Sequence, residues 1–99
     1  MAKKGYWMGH VKITNPERYK DYVAANAAPL KKYNARFLVR GGDSTVPEGG
    51  LNARRHVVLE FESFAVAKAC YESPEYQAAL NIRMEASTGD LVIVEGYEG

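Results

Sequence analysis

Two periodicities alternate along this chain, and their order constrains its fold more than any other feature. Four segments alternate apolar and polar residues with the two-residue period of a β-strand, and two carry apolar residues at helical spacing. The predicted strands span residues 6–14, 35–46, 55–62 and 91–97. The first predicted helix begins at Asn15-Pro16-Glu17; the second begins at Ser63 and restarts at Ser73-Pro74-Glu75. The order is therefore strand, helix, strand, strand, helix, strand.

This order predicts an α+β fold of the ferredoxin-like βαββαβ type, one antiparallel sheet with its helices on one face. A chain of 99 residues has room for a single domain, residues 1–99. The single cysteine, Cys70, indicates a reducing compartment. No apolar run is long enough for a membrane span or a signal peptide. We therefore expect a cytoplasmic protein that does not bind membranes.

Both faces of the predicted sheet are apolar, although only two helices exist to cover them. The face predicted to meet the helices carries Trp7, Val11, Ile13, Phe37, Val39, Val57, Leu59, Phe61, Val92 and Val94. The face predicted to be open carries Tyr6, Met8, Leu38, Val58, Leu91, Ile93 and Tyr97. Exposing apolar surface to water costs ~25 cal/mol per Å². The sequence therefore predicts a homodimer in which the open faces of two sheets pack together.

Charge is distributed unevenly along the chain. Residues 1–56 contain eleven bases and four acids, whereas residues 57–99 contain two bases and eight acids. A basic half can bind nucleic acid, but these bases are scattered and no stripe of them is interleaved with stacking aromatic residues. We expect the two halves to neutralise each other within the fold, without a nucleic-acid partner.

Candidate catalytic residues lie on the open face of the predicted sheet. A hairpin register with residue numbers summing to about 100 would place Arg40 beside Glu60, with His10 and Tyr6 nearby. One interpretation is a buried ion pair. The other is a site in which Arg40 binds a carboxylate or enolate, Glu60 acts as a base, and His10 acts as a base or proton shuttle.

The helical layer contributes a second group of candidates: Tyr22, Tyr71, Tyr76 and Arg83. Aromatic residues at helical spacing either form the core or line a substrate pocket between sheet and helices. We expect no metal, because His56 and Glu60 would lie about 13 Å apart along one strand, and no cofactor, because Gly-x-Gly-x-x-Gly is absent. Cys70 is predicted to be a small buried apolar residue and not a reactive thiol.

Several motifs occur together along nearly the whole chain. They are Gly5-Tyr6-Trp7, Asn15-Pro16-Glu17-Arg18-Tyr19 with Tyr22, Arg36-Phe37-Leu38-Val39-Arg40-Gly41-Gly42, Glu60-Phe61, Tyr71-Glu72-Ser73-Pro74-Glu75-Tyr76-Gln77, Arg83, and Leu91-Val92-Ile93-Val94-Glu95-Gly96. With them the sequence resembles the domain-of-unknown-function family 1330. That family belongs to the dimeric α/β-barrel superfamily, which also includes antibiotic-biosynthesis monooxygenases and muconolactone isomerases.

The resemblance implies the fold and the dimer, and it leaves the activity open. One hypothesis is a cofactor-free enzyme acting on a small organic acid or aromatic compound, by analogy with sister families. The alternative is a non-catalytic dimer that binds a small molecule or another protein. A cavity of about 300–1,000 Å³ among the polar residues would favour the first hypothesis.

Overall fold

The computed structural model describes residues 3–51 and 54–98. The first two residues and the last residue of the predicted domain lie outside the described residues. The elements are β1 (Gly5–Ile13), α1 (Pro16–Lys32), β2 (Arg36–Arg40), β3 (Arg55–Phe61), α2 (Phe64–Glu72), α3 (Pro74–Ala86) and β4 (Ser87–Glu95). The four strands form one antiparallel sheet in the order β2-β3-β1-β4. The predicted ferredoxin-like α+β fold is confirmed.

The helices begin where the sequence predicts. The side chain of Asn15 accepts a hydrogen bond from the Arg18 backbone N–H at 3.1 Å, and Ser63 accepts one from Val66 at 3.1 Å. The hydroxyl of Ser73 accepts from the Tyr76 N–H at 3.2 Å and donates to the Cys70 carbonyl at 2.7 Å. Ser73 therefore ends α2 and begins α3, which explains the predicted restart.

Strand β2 is shorter than predicted, and a bulge changes which face its residues occupy. Phe37 pairs with Leu59, whereas Val39 pairs with Val58, so one residue is inserted between Phe37 and Val39. As a result Val39 lies on the open face and Arg40 lies on the helix-facing side. The predicted faces of Val39 and Arg40 are therefore wrong, because alternation along a strand does not reveal a bulge.

The predicted faces of β4 are also wrong, by one residue. Trp7 pairs with Ile93, so Ile93 shares the helix-facing side with Trp7 and packs against the core. Leu91 does the same, whereas Val92 is 50% exposed. Every residue from Leu91 to Val94 is apolar, so alternation could not distinguish the two faces, and the pairing with β1 decides them.

An aromatic cluster fills the core between the sheet and the helices. The indole of Trp7 donates to the Ala67 carbonyl at 2.9 Å. Its ring centroid lies 5.0 Å from that of Phe61, 4.8 Å from that of Tyr76 and 5.9 Å from that of Tyr71. These contacts fix β1 against α2 and α3.

Ion pairs join the basic and acidic halves of the chain. The shortest join Arg18 to Glu85 and Lys32 to Glu75, each at 2.9 Å. Two longer pairs, Lys3–Glu95 and Arg36–Glu60, each at 4.0 Å, also join a base of the first half to an acid of the second half. The predicted mutual neutralisation therefore has a structural basis. Among the described residues, no helix is long and apolar enough to cross a membrane.

Cys70 is fully buried, and its thiol lies 3.8 Å from the Pro29 carbonyl. Burial, with the nearby charge of Glu75 as a smaller cause, raises the pKa of Cys70 to about 12. At pH 8 only ~0.01% of such a thiol is the reactive thiolate. We expect iodoacetamide to alkylate Cys70 far more slowly in the folded protein than in urea, as measured by mass spectrometry. Equal rates in the two states would contradict the buried, unreactive assignment.

Candidate functional site

The structure divides the predicted site residues between the two faces of the sheet. His10, Glu60 and Tyr6 lie on the open face, as predicted. Arg40 lies on the opposite side, where it lines a cleft together with Tyr22, Tyr76 and Arg83. The predicted group of His10, Arg40 and Glu60 is therefore not assembled in one place, and the bulge in β2 is the reason.

On the open face, Glu60 has two partners other than the predicted one. The Tyr6 hydroxyl donates to Oε2 of Glu60 at 3.0 Å, and Nη1 of Arg36 lies 4.0 Å from Oε1. Arg36 pairs with Glu60 across β2 and β3, in the position predicted for Arg40. The hydrogen bond to Glu60 raises the pKa of Tyr6. This carboxylate is held by its neighbours within the same chain.

His10 contacts a second histidine. Its Nδ1 lies 2.9 Å from Nδ1 of His56, the residue opposite it on β3, and Asp90 is its neighbour on β4. One of the two Nδ1 atoms must carry a proton for this contact to be a hydrogen bond. Within residues 3–51 and 54–98, no group of three or more His, Cys, Asp or Glu side chains is placed to hold a metal ion.

A cleft lies between the sheet and the helices, beneath α1 and α3. Its walls are formed by Trp7, Gly9, Val11, Tyr19, Tyr22, Val23, Asn26, Leu30, Phe37, Arg40, Arg55, Val57, Leu59, Tyr76, Arg83 and Leu91. The empty space, including the open mouth, is about 520 Å³, and about 40 Å³ of it can hold the centres of water molecules. That is room for about three waters. This space is well below the ~300–1,000 Å³ that would favour an enzyme site, so a larger ligand would have to enter through the mouth and displace side chains there.

Three arginines line this cleft, and no acidic side chain of the described residues lines it with them. The guanidinium of Arg40 stacks on the ring of Phe37 at 4.1 Å, and that of Arg83 lies 6.0 Å from the ring of Tyr22. None of the ion pairs found in the described part of the chain includes Arg40, Arg55 or Arg83. The cleft therefore carries three positive charges without a carboxylate of its own.

Arg55 is the most constrained of the three arginines. Its Nε is buried and has no hydrogen-bond partner among the described residues. Its guanidinium lies over Gly41, where a Cβ atom would be only 2.8 Å from Cζ of Arg55. Gly41 also has a φ of +68°, which a residue with a side chain rarely adopts. Gly41 therefore both turns the chain after β2 and leaves space for Arg55.

The tyrosines of the helical layer differ in their relation to the cleft. Burial raises the pKa of Tyr19, and the charges of Arg55 and Arg83 partly oppose this, so both guanidinium groups act on its hydroxyl. The hydroxyls of Tyr22 and Tyr76 are hydrogen-bonded at 2.9 Å, and burial raises the pKa of Tyr76. Tyr71 contacts the ring of Tyr76 at 5.4 Å in the core and does not line the cleft.

The sequence-based candidates thus omit Arg55 and Tyr19. Both were detectable in principle. Arg55 falls on the same face as Val57 and Leu59, which were correctly assigned to the helix-facing side, and Tyr19 lies one helical turn before Tyr22.

Comparison with known proteins agrees with this fold. The family model of DUF1330, a domain of unknown function, matches residues 4–97. The chain belongs to the DUF1330 family. No functionally curated protein matches it.

Several solved structures have a fold similar to that of this DUF1330 protein. A protein of unknown function from Rhodopseudomonas palustris is 16% identical, with a TM-score of 0.72 over 100% of this chain and 86% of that one. SnoaB, a cofactor-independent oxygenase from Streptomyces nogalater, is 11% identical, with a TM-score of 0.67 over 99% and 97%. A dimeric ferredoxin-like protein of unknown function from Jannaschia sp. CCS1 is 14% identical, with a TM-score of 0.66 over 96% and 99%. At these identities the likeness concerns the fold alone.

Proposed function

We propose that this DUF1330 protein is a cytoplasmic homodimer that binds a small organic acid or aromatic compound in the cleft between sheet and helices. The observation that carries this proposal is the cleft itself, where aromatic walls converge with three arginines that form no ion pair in the described part of the chain. Binding sites for small molecules commonly combine apolar walls with a few polar groups of this kind.

Catalysis without a cofactor is the second candidate function, and the fold shared with SnoaB favours it. Among the described residues, however, the cleft is lined by no Asp, Glu, His or Cys side chain. Proton transfer there would depend on the phenols of Tyr19, Tyr22 and Tyr76, and burial raises the pKa of Tyr19 and of Tyr76. Because raised pKa values make these phenols poor bases at neutral pH, ligand binding is the better supported function.

The open face of the sheet supports the homodimer. Val39, Val58, Met8 and Val92 are successive neighbours across all four strands and form an apolar row. The chain is a plate only 17 Å thick. It exposes 6395 Å² of surface, about 800 Å² more than is typical of a compact monomer of this mass, and the open sheet face and the largely exposed segment 41–50 both contribute to that excess. In a homodimer, the apolar row of one chain would be covered by the same apolar row of the second chain.

Filling the cleft from the sheet side tests the binding function. Gly9 lines the cleft, and a Cβ there would meet nothing closer than Cδ1 of Leu91 at 3.5 Å. We expect Gly9→Val to stay folded, because valine favours strands and its Cβ meets no atom closer than 3.5 Å. It should weaken binding of benzoate or phenol at least about tenfold, because its methyl groups occupy space for about three waters. Titration monitored by the fluorescence of Trp7, the single tryptophan, measures both affinities.

The matched control is Gly42→Ala, since a Cβ at Gly42 meets nothing within 4 Å and Gly42 does not line the cleft. This variant should bind like the wild type. If Gly9→Val binds these aromatic compounds as tightly as the wild type, the cleft is not the binding site. If the wild type binds none of them, the proposed function is wrong.

A further inference from the structure

We propose that the cleft selects a planar carboxylate and that Arg55 is the residue that anchors its carboxylate group. This inference rests on the proposed function, because it names the class of ligand for the same cleft. Three observations carry it: the charge of the cleft, the buried Nε of Arg55 without a partner among the described residues, and the aromatic side chains of the cleft walls.

The charge of the cleft calls for an anion. Arg40, Arg55 and Arg83 all line it without a carboxylate among the described lining residues. Like charges brought together in a partly buried space repel one another, and a bound anion relieves that repulsion. Elsewhere in the described chain, Arg18 and Arg36 each lie within 4.0 Å of an acid, whereas Arg54 takes part in none of the ion pairs found there. Three of the four arginines without an ion pair among the described residues thus line the cleft.

The geometry of Arg55 specifies the kind of anion. Its buried Nε has no hydrogen-bond partner within residues 3–51 and 54–98, and its guanidinium lies close to Gly41. A guanidinium presents Nε and one terminal nitrogen side by side, at a spacing that matches the two oxygens of a carboxylate. A buried donor without a partner is unfavourable, and a carboxylate that reaches Nε after a shift of the Arg55 side chain would satisfy it. Tyr19 lines the same cleft, close enough to Arg55 for the guanidinium to oppose the burial that raises the pKa of Tyr19.

The residues of the cleft walls indicate what the rest of the ligand, beyond its carboxylate, should be. The rings of Trp7, Phe37, Tyr22 and Tyr76 all line the cleft. Aromatic walls favour a ligand whose carboxylate is attached to a flat, apolar group. An inorganic anion would lose its hydration in the cleft, and the aromatic walls would not compensate for that loss. An unsaturated or aromatic carboxylate satisfies both the arginines and the walls. Inorganic phosphate satisfies only the arginines.

A matched pair of probes tests this inference. Benzoate and benzamide have the same shape, but only benzoate carries a negative charge. We expect the wild-type protein to bind benzoate at least about tenfold more tightly than benzamide, because hydrogen bonds to charged groups are the stronger ones. Arg55→Met should lower this preference at least about fivefold, because it removes the paired donors while Arg40 and Arg83 keep the cleft positively charged, and it should weaken benzoate binding more than benzamide binding. Arg55→Lys keeps the charge but loses the paired donors, so it should lose most of the preference.

Arg36→Met is the control, because Arg36 lies on the open face and pairs with Glu60; it should keep the full preference for benzoate. Equal binding of benzoate and benzamide to the wild type would overturn the carboxylate assignment and leave the binding function intact. A preference retained by both Arg55 variants would overturn the role of Arg55. Phosphate that binds as tightly as benzoate would show a general anion site instead. If neither aromatic probe binds, both proposals are wrong.

Discussion

Replacing Val92 with Asp is expected to convert the proposed dimer into a monomer that remains folded. Val92 is 50% exposed on β4 and ends the apolar row that crosses the open face. The substitution would bury two unpaired carboxylates per dimer, one from each chain. Burial of an unpaired charge costs at least about 2 kcal/mol for each carboxylate, so the dimer should be weakened more than about a thousandfold. Light scattering coupled to size-exclusion chromatography gives the mass, and far-UV circular dichroism shows whether the fold is kept.

The neighbouring residue provides the matched comparison. Ile93 faces the helices and packs against the core, so Ile93→Asp should unfold the chain and not merely separate two copies. Opposite outcomes at adjacent positions would establish the face assignment of β4 in solution. A wild-type protein that is monomeric at micromolar concentration, or a Val92→Asp variant that stays dimeric, would contradict the proposed interface.

The order of elements could be predicted from the sequence because local chemistry determines it. Asn15 and Ser73 each accept a hydrogen bond from the N–H three residues later, and nothing distant is needed for that contact. The alternation in β1 was equally informative, since Trp7 and Val11 are buried while Met8 and Lys12 are exposed. These features fix the fold class without knowledge of the pairing.

The faces of β2 and β4 could not be predicted, because they depend on contacts with other strands. A one-residue bulge after Phe37 moves Arg40 to the helix-facing side, and no signal in the run 36–40 marks it. In β4, apolar residues at 91–94 fit either face, and the pairing of Ile93 with Trp7 decides between them. The glycine at position 41 is the one local sign that β2 is short. In the structure its φ is positive, and β2 ends directly before it, at Arg40.

These two errors explain why the candidate site was predicted only in part. Tyr22, Tyr76 and Arg83 lie on helices whose inward faces follow from their spacing, and all three line the cleft. Arg40 lines it too, although it was assigned to the open face. Alternation along β3 places Arg55 on the helix-facing side, but only the assembled structure shows that its buried Nε has no partner among the described residues.

Truncating Trp7 to Ala is expected to have the largest effect on stability of any single substitution in the core. Trp7 is 2% exposed, and its ring contacts those of Phe61 and Tyr76 at about 5 Å. Loss of a buried aromatic side chain costs about 3–5 kcal/mol, because the transfer free energy is lost and a cavity remains. Domains of this size have total stabilities of about 5–15 kcal/mol, so the variant should be at the margin of folding.

Urea denaturation followed by far-UV circular dichroism measures the loss for Trp7→Ala. Trp7→Phe keeps a ring in the cluster but loses the hydrogen bond to the Ala67 carbonyl, so its cost should be about half as large. Met84→Ala is the surface control, because Met84 is 71% exposed and should change stability by less than about 0.5 kcal/mol. A Trp7→Ala variant as stable as Met84→Ala would mean that the aromatic cluster does not hold the sheet to the helices, and the cleft formed between them would lose its rigid floor.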